Sequence, residues 1–182
     1  KYGHRDYRGG GRASARETVN WVAAGAIAKK ILQKEGVSVN GFVSEIGTVK
    51  ADVINHKEIN NKYFFCDDSK LSNLDSMFHD LIEEGNSVGA KLGVVVEYCP
   101  VGLGDPVFEK LVANLAKAIM TINAVKSVSI GNADDLLGLK GSEARDDSTS
   151  TGYSSINSGG MLGGISNGDD ISLSFIIKPT SS

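Results

Sequence analysis

Arg5, Arg8, Arg12 and Arg16 recur every three or four residues, with Gly9, Gly10 and Gly11 standing among them. Guanidinium groups present planar forks that match phosphate or carboxylate oxygens. A run of glycines reaches backbone conformations with positive φ and approaches a ligand closely. Ser14 and Glu17 then have capping-box spacing ahead of apolar residues of helical period, which predicts a helix from Ser14. Glycine loop, helix N-terminus and arginines together form a pattern that binds anions. On these features alone, a solvated loop before an ordinary capped helix is equally well supported. A third reading is an Arg/Gly-rich arm that binds nucleic acid. The ordered helix behind the arm weighs against it, and no Gly-Lys-Ser/Thr closes a triphosphate-binding loop.

Further residues with suitable chemistry lie elsewhere. Lys178, Thr180, Ser181 and Ser182 follow a run of alternating apolar residues, offering one ammonium and several hydroxyls to an anion. A solvated charge ending a strand explains Lys178 at least as well. Asn123 follows a helical run and is suited to a C-terminal cap. Arg16 falls in a first helical turn, where the helix dipole disfavours a cation. That leaves either a ligand carboxylate or phosphate, or a distant salt bridge, to account for it.

The elements that must position these residues follow from periodicity. A helix is expected over 14–34, with Val19, Val22, Ala23, Ala26, Ile27 and Ile31 on one face and Gly36 just beyond its end. Residues 37–49 read as an interrupted strand or a hairpin, with bends at Gly41 and Gly47. A polar loop holding His56 leads to Tyr63-Phe64-Phe65-Cys66, a loop anchored by its aromatics. Leu71, Leu74, Phe78, Leu81 and Ile82 share a helical face that Gly85 closes, leaving His79 on the surface. Residues 88–99 form the clearest strand; Val94, Val95 and Val96 suggest burial on both faces, and Gly89 and Gly93 permit close contact. Asp105-Pro106 predicts an N-cap and a helix continuing to Ile122. A strand over 125–130, a long Gly/Ser/Asn/Asp-rich loop over 132–168 and a last strand over 171–177 complete the chain. By composition that loop is either functional or disordered. Pattern alone supports α/β or α+β.

The sequence of 182 residues is long enough for a sizeable core, and a single domain over 1–182 is expected. A formal charge of −3 gives no general attraction to nucleic acid or anionic membrane, so a phosphorylated substrate would be met by a local cluster of arginines. No apolar run is long enough to span a bilayer. Cys66 and Cys99 are far apart and lack zinc-site spacing, which points to free thiols in a reducing, cytoplasmic compartment. The first residue is not Met and no signal peptide opens the chain.

Gly10-Gly11-Arg12-Ala13-Ser14-Ala15-Arg16-Glu17-Thr18, with Val22-Ala23-Ala24-Gly25-Ala26-Ile27-Ala28 behind it, resembles a signature of the chorismate synthase family. Thr121-Ile122-Asn123-Ala124-Val125-Lys126, Gly159-Gly160-Met161-Leu162-Gly163-Gly164-Ile165-Ser166-Asn167-Gly168 and Lys178-Pro179-Thr180-Ser181-Ser182 resemble further family segments in the same order. The resemblance implies an α+β fold with helices sandwiched between antiparallel sheets. It implies a lyase of the shikimate pathway, in aromatic amino acid biosynthesis. Such an enzyme eliminates phosphate from 5-enolpyruvylshikimate-3-phosphate (EPSP) with reduced flavin mononucleotide (FMN) as cofactor. The family's flavin contacts fall on Arg12, Ala13, Ser14, Asn123, Ala124, Gly163, Lys178, Pro179, Thr180, Ser181 and Ser182; Arg16 is the candidate for substrate. Ala13 departs from the serine often found there. The resemblance further implies a central piece of a longer polypeptide, a homotetramer, a ligand-covering loop within 132–168 with 143–153 mobile, and acid–base residues outside this chain. It implies no metal, membrane or nucleic-acid partner. Whether NADP-linked reduction of the flavin takes place on this protein stays open. The alternatives are a flavin- or phosphate-binding fragment without activity, and the nucleic-acid-binding arm.

Overall fold

The computed structural model describes residues 3–150 and 152–180. Helix α1 (Thr18–Lys34) leads into β1 (Ser38–Ile46) and β2 (Val49–Lys50). Then come α2 (Leu71–Glu84), β3 (Ala90–Glu97), α3 (Leu111–Met120) and β4 (Val125–Ile130). A short helix α4 (Ala133–Leu136) precedes two small ladders, β5 (Ser148–Thr149) with β6 (Gly152–Tyr153), and β7 (Met161–Leu162) with β8 (Ile165–Ser166). Strand β9 (Ile171–Ile177) comes last.

The main sheet has the order β2-β1-β3-β9-β4, with every neighbouring pair antiparallel. This is the α+β arrangement; the α/β option that strand–helix alternation suggested does not hold. The chain leaves β1 at Ile46 and enters β3 at Ala90, which pair with each other, so α2 makes no parallel crossover. Instead the segment between them runs along the sheet and back. Val43 N–H donates to Phe64 O at 2.8 Å, and Lys57 reaches Glu97 at 2.9 Å. Helix α3 does connect two parallel strands, β3 and β4, but β9 lies between them and pairs antiparallel with both.

Two apolar clusters follow from the alternation of β3. Val95 joins Phe42, Ile46, Phe65, Cys66 and Leu74 beneath α2. Leu92, Val94 and Val96 join Cys99, Val125, Met161, Leu173 and Phe175 beneath α3. The apolar run of β3 thus packs on both faces, as its sequence predicts. Gly93 lies under the Phe42 ring, where a Cβ would come within 2.3 Å of Cζ. Both cysteines are free thiols, and burial pushes each thiol pKa up. Gly85 closes α2 in the left-handed region at φ 63°, and His79 stays on the surface.

Two helix starts differ from expectation. Ser14 is extended (φ −70°, ψ 140°) between two 3-10 turns, Gly11–Ala13 and Ala15–Glu17, so the α-helix begins at Thr18. The second difference is larger. Asp105-Pro106 does not open a helix, and α3 begins at Leu111. Asp105 accepts from Val107 N–H through its own carboxylate, and its N–H donates to Glu109 O at 2.9 Å, closing a local loop. The expected apolar face of α1 is not buried either: Val19, Val22, Ile27 and Ile31 are 60–73% exposed.

The long loop is built largely around Asp146. Its carboxylate accepts from the Asn157 and Ser158 amides at 2.9 and 2.7 Å, and from the Ser155 hydroxyl.

Candidate functional site

The glycine–arginine arm curls into a 3-10 turn because Gly11 sits at φ +53°, a conformation costly for residues with a Cβ. Ala13 N–H donates to Gly10 O and Ser14 N–H to Gly11 O, each at 3.1 Å. Ser14 Oγ accepts from the Arg16 amide and from Arg16 Nε, both at 3.3 Å. Not all four arginines are available to a ligand. Arg8 forms a two-pronged pair with Asp6 at 2.9 and 2.7 Å. That pairing lowers the Asp6 pKa and raises that of Arg8. Arg12 and Arg16 are exposed and make no ion pair among the described residues. The backbone of 3–13 surrounds an open trough that His4, Arg5, Arg8 and Arg12 line.

A second segment meets this arm where α3 ends. Thr121 caps the helix through its hydroxyl to Ala118 O. Asn123 is therefore free of a capping role, and its Nδ2 donates to Ala13 O at 3.3 Å, across a sequence separation of 110. Ala124 follows at φ +69°, a left-handed alanine of the kind that clusters at functional sites. Its carbonyl accepts from Lys178 N–H at 3.0 Å, which brings in the third segment.

That third segment is fixed by its backbone. Ser87 Oγ donates to Thr180 O at 2.7 Å. Pro179 packs beside Gly89, where a Cβ would meet Ile177 O at 2.7 Å. The Lys178 and Thr180 side chains remain exposed, with Lys178 Nζ donating to Pro179 O at 3.1 Å. Ser181 and Ser182 lie outside the described residues.

Arg12, Ala13, Ser14, Arg16, Asn123, Ala124, Lys178, Pro179 and Thr180 therefore gather at one end of the sheet, beside the C-terminus of α3. Gly163 does not join them. It forms the exposed tip of the β7–β8 hairpin, which docks on the opposite end of α3 through Leu111 N–H to Gly164 O at 2.7 Å. Ten residues of helix make that separation about 15 Å.

Sequence reasoning missed a polar cluster at the far end of β3. Glu97 is buried, accepts from Asn40 Nδ2 at 3.1 Å and pairs with Lys57 at 2.9 Å. His56 lies against Phe42, its Nε2 3.7 Å from the same carboxylate. The Lys57 hydrogen bond holds the Glu97 pKa below the usual range. The available signal was phase: Glu97 alternates with Gly93 and Val95, so it must face inward.

The gathered segments are three of the four that carry the sequence resemblance, and two comparisons bear on it. The family model described as chorismate synthase matches residues 1–182. A solved structure titled "Crystal Structure of Chorismate Synthase" superposes with a TM-score of 0.85 at 29% identity, covering 93% of this chain. The chain spans 57% of that structure's length. With a match along its whole length and the same fold, the chain belongs to the chorismate synthase family.

Proposed function

We propose that the polypeptide carrying this chain is a chorismate synthase that eliminates phosphate and a ring proton from EPSP with reduced FMN. We assign residues 12–14, 123–124 and 178–182 to one flavin site. The observation that carries this reading is the pair of long-range bonds, Asn123 to Ala13 O and Lys178 N–H to Ala124 O. Together they hold three distant segments in one place.

The donors there fit the cofactor. A dinegative phosphate has several acceptor oxygens, more than one glycine turn satisfies. Exposed Arg12, Lys178 and Thr180 add charged and hydroxyl donors, and Ser181 and Ser182 extend the set. Pro179 fixes the backbone between them. Asn123 offers an amide to the edge of a flat ring, and Ala13 serves through its backbone carbonyl, which anchors Asn123. Gly163, open at the far end of α3, is assigned to the ring, away from the phosphate. When bound, reduced flavin lends electron density to the elimination and recovers it. The chain's own residues bind and orient. Arg16, two residues after Ser14, is assigned to a substrate carboxylate or phosphate. The acid and base are assigned to parts of the polypeptide beyond this chain, and the assembly to a cytoplasmic homotetramer.

The test is a chorismate assay on the longest natural polypeptide that contains this chain, supplied with EPSP and dithionite-reduced FMN. Chorismate and phosphate should appear in equal amounts. Absence of both, in a protein that binds FMN, would leave the flavin-binding module without activity as the better reading.

A further inference from the structure

Ser166 is fully buried, at 0% exposure, in a hairpin whose other strand carries Met161 into the core beneath α3. All of its polar atoms are committed to one neighbouring segment. Its hydroxyl donates to Pro100 O at 2.6 Å and accepts from Leu103 N–H at 2.9 Å. Its amide donates to Leu103 O at 3.0 Å, and its carbonyl accepts from Gly102 N–H at 2.9 Å. Three residues earlier stands Gly163, at φ +62°, where an added Cβ would meet no protein atom within 4 Å. The left-handed backbone of this two-residue turn itself favours glycine there, while the space outside it is open. The next residue is the opposite: a Cβ on Gly164 would lie 2.6 Å from Lys110 Cγ. The hairpin tip thus has one tightly fitted residue and one that is open and rigidly presented.

The geometry points to Ser166 as the positioning residue that sets where Gly163 is presented to the flavin. This rests on the assignment of Gly163 to the flavin site made above. The loop through Pro100, Gly102 and Leu103 is clamped to one strand of the hairpin by Ser166, while Gly164 O is held by the first amide of α3. With Gly164 and Ser166 anchored after Gly163, and Met161 buried on the paired strand before it, the tip meets a ligand in a conformation already formed, and less ordering is lost on binding. Without the hydroxyl, Leu103 N–H and Pro100 O lose their buried partner, and the clamp keeps only its two main-chain bonds.

The experiment measures the FMN dissociation constant by flavin fluorescence at fixed salt, with the thermal midpoint, in the longest natural polypeptide containing this chain. Ser166→Ala removes both hydroxyl hydrogen bonds and should weaken FMN roughly tenfold, part of their combined strength. Ser166→Cys, close in volume but a weaker donor and acceptor, should fall between it and the parent. Leu74→Ala, in the other cluster, should lower the midpoint and leave the dissociation constant unchanged. If Ser166→Ala does not fold, Ser166→Cys decides on the same criterion. Parent-like affinity at Ser166→Ala, with Gly163→Val impaired, would overturn the inference and leave the Gly163 assignment standing. Parent-like affinity at Gly163→Val would remove Gly163 from the site and the inference with it. Equal weakening by Leu74→Ala would show that loss of stability alone moves affinity, and would also overturn it.

Discussion

Lys178→Ala separates binding from folding at the proposed flavin site. The main-chain bond from Lys178 N–H to Ala124 O at 3.0 Å is independent of the side chain, and Ser87 holds Thr180 O at 2.7 Å regardless. The side chain is exposed, so its removal should change stability by no more than about 0.5 kcal/mol. A charge-assisted hydrogen bond to a phosphate contributes about 1.5–3 kcal/mol. At tenfold per 1.4 kcal/mol, FMN binding should weaken roughly ten- to a hundred-fold. Thr180→Val removes a neutral donor, about 0.5–1.5 kcal/mol, and should cost tenfold at most. The assay is flavin fluorescence on the longest natural polypeptide, at two salt concentrations, because a lost cation–phosphate contact also flattens the salt dependence. If Lys178→Ala binds FMN like the parent and only EPSP affinity falls, the lysine belongs to the substrate and the assignment fails.

Other consequences concern the scaffold. Gly93→Ala should destabilise: strand preference favours alanine by about 0.5–1 kcal/mol, but overpacking against Phe42 costs about 1–3 kcal/mol. A raised urea midpoint would show that the ring yields. Leu74→Ala, at 0% exposure, should cost about 2–5 kcal/mol. Ile31→Ala, at 60% exposure in α1, should stay within about 0.5 kcal/mol in chain 1–182. The Ser69 hydroxyl, with the amides of Asp52, Ser69 and Val53, lowers the Asp67 pKa from 3.8 to about 2. A depressed carboxylate stabilises above its unfolded pKa, and that contribution is lost as pH falls through the folded one. The stability gap between parent and Asp67→Asn should therefore be full above pH 4 and shrink toward pH 2, as urea titrations across that range would show.

Much of this fold was legible because local signals and packing agree. Helix α2 follows its apolar period and ends at the glycine expected, and β3 follows its valine run. The sheet's pairing was not legible, because it depends on β9 inserting between β3 and β4 from late in the sequence. The Asp105-Pro106 helix signal failed for a similar reason. The bond from Leu111 N–H to Gly164 O, distant in sequence, takes the amide that a helix from Asp105 would use and leaves 105–110 as a loop. At the site, residue types were readable but their convergence was not. Nothing local in Asn123 distinguishes a helix cap from a strut to Ala13 O. The exposure of α1 was equally hidden, since periodicity identifies an apolar face without identifying what covers it.

The central claim is that three distant segments close on one flavin, and amide hydrogen exchange with and without FMN tests it most directly. Bound FMN should slow exchange together in residues 12–14, 123–124 and 178–182, while peptides covering Lys57 and Glu97 remain unchanged. Protection confined to the arginine arm, or absent from 123–124 and 178–182 at saturating FMN, would contradict it.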